Sequence, residues 1–257
     1  MIIFLTLLKR EVKRFLKVIV QTVVSPFVSS FLYLLIFGVS LGAQMQGHQG
    51  SSYLAFLIPG LVMMSLMNNA FQNSSSSIVT SKFSGDLEDI RVAPISNHQL
   101  IWAMIIGALI RGAVVGSVTF LVGSLFINYR EGHFLGVVHP LILFYFIMMG
   151  GFIFGLLGIC VAFWAKTFDQ MSAFSAFVML PLTYLGGVFI SIQGLHPFWQ
   201  LLSSWNPLLY LINGLRYGVL GFCDVDISMA ILVSAIGFVV LYGLALWSLK
   251  KGSFQRW

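Results

Sequence analysis

The sequence predicts an all-α polytopic membrane protein. It predicts six transmembrane helices, an N-terminal amphipathic interfacial helix and a re-entrant helix pair before the last span. Three observations carry that reading. Charged residues make up 9% of the 257 and hydrophobic residues 58%, whereas a soluble globular chain carries about 25% charged residues. The 64 residues between Lys17 and Lys82 hold no Asp, Glu, Lys or Arg, enough for two spans of about 20 residues each. The cations also fall unevenly about the predicted spans. Eleven lie on one side and two, Arg130 and Arg216, on the other, with Arg111 left inside a span. Basic residues stay on the cytoplasmic side, so both termini are expected there.

The elements follow in order along a single predicted transmembrane domain, 1–257. Residues 1–18 place Lys9, Arg10, Lys13, Arg14 and Lys17 on one arc of a helix. Phe4, Leu5, Leu8, Val12, Phe15 and Leu16 fall on the opposite arc. That pattern suits a helix lying in the membrane surface; the plainer alternative is a set of positive anchors before the first span. Spans are expected at roughly 22–43, 53–78, 99–127, 138–163, 171–190 and 227–249, with the first one uncleaved. The polar break AQMQGHQGSS separates the first two, and Pro26 and Pro59 are placed near their starts, where a missing N–H costs least.

Residues 191–226 are too apolar for an ordinary loop and too broken for a clean span. A seventh crossing would put KKGSFQRW on the wrong side by charge. Two short half-helices fit better, with Pro197 and Pro207 in their first turns and Trp199 and Trp205 at headgroup level. Irregular backbone at that depth must be buried in protein or line a cavity. A simple interfacial loop is the alternative.

Little points to catalysis. The five histidines are scattered over loops and span edges, no His/Cys/Asp/Glu spacing suits a metal, and no GxxxxGK[ST] exists to cradle ATP phosphates. Cys160 and Cys223 are expected on different sides of the membrane, which excludes a structural disulfide between them. The net charge of +6 is accounted for by cations flanking the spans, without nucleic acid. None of the eight acids lies inside a predicted span, which weighs against a proton-driven carrier. The one intramembrane charge is Arg111, whose insertion at a helix centre costs about 2.5–3.5 kcal/mol. It either contacts an anionic substrate or reaches the lipid phosphates. Gly107, Gly112 and Gly116, and Gly151, Gly155 and Gly158, mark close-packing faces.

The stretch SKFSGDLEDIRVAPIS stands apart. Gly85 interrupts the preceding helix, Asp86 can cap a new one, and Pro94 stops it. Leu87 and Ile90 share a face, while Asp86, Asp89 and Arg91 point elsewhere, Glu88 lying between them in the same two turns. Such a short helix suits a groove on a cytoplasmic partner; a solvated loop is the alternative.

The order of these features resembles the permease, or membrane-spanning subunit, of an ABC-2 type exporter. The resemblance rests on the basic first helix, LIPGLVMMSLMNNAFQNSSSSI, GDLEDIRVAPIS before the third span, and HPFWQLLSSWNPLLYLINGLRYGVLG before the last. It implies a subunit of the bacterial inner membrane that exports drugs, lipids, polysaccharides or lipid-linked glycans. It implies a dimer with a second copy or a close homologue, and two copies of a separate cytoplasmic ABC ATPase. ATP and Mg would bind that partner, and no cofactor this chain. Gly85, Asp86, Leu87, Glu88, Asp89, Ile90 and Arg91 would form the coupling helix. The N-terminal helix would also touch the ATPase. Residues 194–221, with Arg216, would be the re-entrant pair capping a path formed mainly by spans one, two and five. Arg111 is not part of that resemblance. The scarcity of polar residues in the spans favours a hydrophobic or amphiphilic cargo. The rival from a different class is a partner-free carrier, channel or scramblase.

Overall fold

A computed structural model describes residues 2–41, 52–86, 94–165 and 167–251. Leu87–Arg91 of the charged stretch, most of the polar break after residue 41, Lys166 and the last six residues lie outside the described set. The described residues are mostly helical, with no strand among them.

Helix α1 spans Ile2–Leu16, and α2 spans Ile19–Tyr33 and continues as a π-helix over Leu34–Leu41. Then come α3 (Tyr53–Ser84), α4 (Asn97–Glu131) and α5 (Pro140–Trp164). Two short helices, α6 (Phe168–Phe174) and α7 (Leu180–Leu185), are joined by a π turn at Ser175–Met179. After them come α8 (Pro197–Ser204), α9 (Pro207–Leu220) and α10 (Ile227–Lys251). Five of these, α2 with its extension, α3, α4, α5 and α10, are long and apolar enough to cross a membrane. Most of the stretch predicted as the fifth span falls in the helical run 168–185, in which α6 continues through the π turn into α7.

Local sequence sets the ends. Ser52 Oγ accepts from Ala55 N–H (3.2 Å) to start α3, and Gly85 ends it at φ +84°, a conformation cheap only without a Cβ. Ser96 and Gln99 form a reciprocal capping box at α4, so that helix begins before the predicted residue 99 and runs to Glu131. Pro197 and Pro207 occupy first turns, capped by His196 and Asn206. Pro26 and Pro59 differ from expectation. Both α2 and α3 begin several residues upstream, so these prolines sit in helix interiors.

Helix α3 is the spine. In its most apolar stretch 83% of residues are buried, against 17% for α2 and for α10, so α3 is central and those two face outward. α4 and α5 pack along it, α9 covers its Tyr53 end, α1 and α2 lie against α4, and α10 lies against α5 and α9. The glycine faces are where backbones meet. A Cβ on Gly112 would lie 2.8 Å from Leu66 O, and one on Gly158 would lie 2.6 Å from Phe71 O, both on α3. Met63, Leu66, Met67 and Phe71 of α3 fill the resulting core with Phe146 and Phe154 of α5.

Candidate functional site

A cavity of about 530 Å³ opens between α3, Arg111 of α4 and the broken segment 168–185. From α3 it takes Met64, Asn68, Phe71, Gln72, Ser75 and Ser76, side chains on one face at helical spacing. The opposing wall brings Met171 and Ser172 of α6 and Ser175 and Ala176 of the π turn. π turns recur at functional sites because they break the regular ladder and re-aim side chains. Here small residues face the cavity while Phe177, 81% exposed, faces away. Phe83 stacks on Phe168 (5.3 Å between centroids) and Phe71 on Phe174 (5.8 Å), so the segment runs antiparallel to α3.

Arg111 reaches this cavity from about two-fifths of the way along α4. Its Nε is shielded from solvent, and its guanidinium has no hydrogen-bond or ionic partner among the described residues. Gly107, one turn earlier, lies against Glu11 of α1, so Arg111 sits about 6 Å deeper than that contact.

At the basic end of the bundle, α1 turns a mixed face inward. Leu7, Glu11 and Phe15, four residues apart, are buried, whereas Leu5 and Leu16 of the predicted apolar arc are exposed. The reason is tertiary. The carboxylate of Glu11 accepts from Ser77 Oγ (2.8 Å) and from Arg14 (3.2 Å), with Arg10 at 3.5 Å. Arg14 also donates to Asn73 O (2.6 Å) and Ser76 Oγ (2.9 Å) on α3. Lys9, Lys13 and Lys17 stay exposed, so only part of the predicted basic arc is free. Lys82, 2% exposed, donates to Ala162 O (2.8 Å) and Phe163 O (3.4 Å), carbonyls left open at the end of α5. Gly85 and Asp86 follow directly.

At the opposite end, Arg216 is fully buried. It donates to Gly187 O (2.8 Å), Asn213 Oδ1 (3.2 Å) and Phe56 O (3.4 Å), and its guanidinium lies 3.7 Å from the Phe56 ring centre. Asp224 is 4.0 Å away and accepts from Ser191 Oγ (2.9 Å) and Ile192 N–H (3.3 Å). Tyr53 OH donates to Phe189 O at 2.8 Å. Residues 187–192, α9 and the start of α3 are thereby tied together. Trp199 and Trp205 are exposed and Pro197 and Pro207 start their helices, apart from this network.

The structure therefore disperses the predicted residues. Arg111 joins the cavity, Arg14 joins it indirectly through Ser76, Arg216 locks the far end, and Gly85 and Asp86 close α3. Glu11, Asn73, Lys82, Asn213 and Asp224 were not singled out from sequence as partners. For Glu11 a signal existed: it shares its i, i+4 face with Leu7 and Phe15. For Asn73 and Lys82 none did, because their partners lie 59 to 81 residues away, whereas Asn213 and Asp224 lie three and eight residues from Arg216. Among the described residues no group of His, Cys, Asp or Glu could hold a metal ion.

Comparison with known proteins agrees with this architecture. The ABC-2 type transporter family model matches residues 3–220. The inner membrane transport permease YadH of Escherichia coli K12 is 39% identical over 93% of this chain and 91% of its own. The daunorubicin resistance ABC transporter permease protein DrrB1 of Streptomyces coeruleorubidus is 24% identical over 78% of this chain and 70% of its own. Nodulation protein J of Neorhizobium galegae is 24% identical over 77% and 74%. The chain belongs to the ABC-2 type transporter family, as a membrane permease.

Proposed function

We propose that this chain is the export permease of an ATP-driven system. In this reading it pairs with a second copy of itself, recruits two cytoplasmic ATPase subunits that bind ATP and Mg, and binds no cofactor itself. Both termini and residues 85–91 face the cytoplasm of a bacterial inner membrane, and the coupling helix at 85–91 docks in the ATPase. The cargo is hydrophobic or amphiphilic.

The observation that carries the reading is the continuity of α3. One helix of 32 residues starts in the Arg216 network, forms one wall of the cavity and ends at Lys82 and Gly85, beside the proposed docking segment. A rigid helix of about 48 Å would convey a push from an ATPase to both the cavity and the far end. The exposed apolar faces of α2 (Val20, Val24, Phe27) and of 168–185 (Phe177, Tyr184) suit lipid or a second copy.

The test is reconstitution in liposomes with and without the co-purifying ATPase. ATP-dependent flux, lost when Leu87→Asp and Ile90→Asp release the ATPase, supports the reading. Equal flux without any ATPase would establish a partner-free carrier instead.

A further inference from the structure

The Arg111 cavity carries an inference that deepens the cargo class and rests on the permease reading just given. Its lining is mixed. Gln72, Ser75, Ser76 and Ser172 lie toward the basic end beside Phe71 and Met171, and Met64 and Leu180 lie toward the other beside Asn68 and Thr183. Among the described residues no carboxylate lines it. The nearby acid, Glu11, has a side chain only 2% exposed and is already engaged by Ser77, Arg10 and Arg14. Arg14 lies close enough to repel Arg111 rather than neutralise it. Arg111, with no partner among the described residues, thus sits between the two ends of this slot, beside Gly112 at the level of Leu66 and Ala70 of α3. Its Nε is shielded and the rest of the guanidinium opens into the cavity, where it suits an anion that can accept two parallel N–H donors.

We propose that this cavity binds an amphiphile by its anionic headgroup, a phosphate or carboxylate held by Arg111, with the apolar tail lying toward Met64 and Leu180. Gln72, Ser172 and Ala176 are exposed at the rim, giving a lateral way in from the leaflet at the basic end.

The test uses the purified full chain without ATPase, so that binding is separate from transport. The probes are fluorescent lysophosphatidate and the neutral monoacylglycerol with the same acyl chain, with inorganic phosphate as competitor. The anionic probe should bind about tenfold tighter, the scale of one charge-assisted contact. Arg111→Gln should bring the two affinities together, and Arg111→Lys should keep most of the preference. Ser175→Leu, which fills the slot and leaves the charge, should weaken both probes. Melting temperature and elution profile identify any variant that fails to fold, and Ser175→Leu then decides. Equal affinities in the unmodified protein, or a preference surviving Arg111→Gln, would overturn the proposal and leave ATP-driven export standing. Displacement by free phosphate at the probe's own concentration would overturn the amphiphile in favour of a bare anion. Discrimination without ATP-driven flux would retain the site and remove the export reading.

Discussion

Arg216 and Arg111 are both guanidinium groups inside an apolar bundle, and they are handled in opposite ways. Arg216 finds three oxygen acceptors, an aromatic face and a carboxylate, all from this chain. Arg111 finds none among the described residues and faces a cavity. A buried charge is tolerated when its hydrogen bonds are filled, and removing one partner then leaves the others exposed to the desolvation penalty. The first arginine therefore belongs to the architecture. The second is a cost the fold carries without internal return, which is the usual mark of an intramembrane group kept for a ligand.

That contrast can be broken by substitution. The largest effect is expected for Arg216→Met, which strands Asp224, Asn213 and the Gly187 carbonyl. Stability should fall by about 3–5 kcal/mol, read as the thermal unfolding transition in detergent. A loss below about 1 kcal/mol would make the two arginines alike. Gly112→Val comes next, because its Cβ would meet Leu66 O at 2.8 Å. Overpacking there should cost about 1–3 kcal/mol, and by shifting α4 it should lower binding of the anionic probe. Glu11→Gln sharpens the comparison by turning Arg14 into a second uncompensated cation beside the cavity. About 1 kcal/mol should be lost, the pair being partly solvated through Arg14. The preference for lysophosphatidate over the neutral monoacylglycerol should rise. The smallest change in stability belongs to Arg111→Met, within about 0.5 kcal/mol of the unmodified protein or slightly more stable, while anion preference disappears. A destabilisation like that of Arg216→Met would show that Arg111 is structural too.

Much of the fold was legible because it depends on local rules. Long charge-free runs mark spans, Gly85 marks the end of α3, and Pro197 and Pro207 mark helix starts, each through the chemistry of one or two residues. For the stretch at 168–185 the helical run was legible but its place at a cavity was not. Its apolar composition reads as one span, and only the packing of Phe168 and Phe174 against α3 places its π turn at a cavity. The partners of Glu11 on the inward face of α1 were not legible, because a helical wheel sorts by polarity and does not show which buried serine meets the carboxylate.

The sequence by itself determined that the chain is a multi-helical membrane protein, where its charges must leave the lipid, and that Arg111 is anomalous. Those follow from composition and from the free energy of placing each residue in hydrocarbon, which is additive along the chain. Only the tertiary structure decided that Arg216 is satisfied and Arg111 is not, that Lys82 closes the end of α5, and that Glu11 is buried. Each of those depends on which atoms lie within about 3 Å of a charge. Contacts such as that of Arg216 with Phe56, 160 residues away, are set by helix packing and leave no mark on local periodicity.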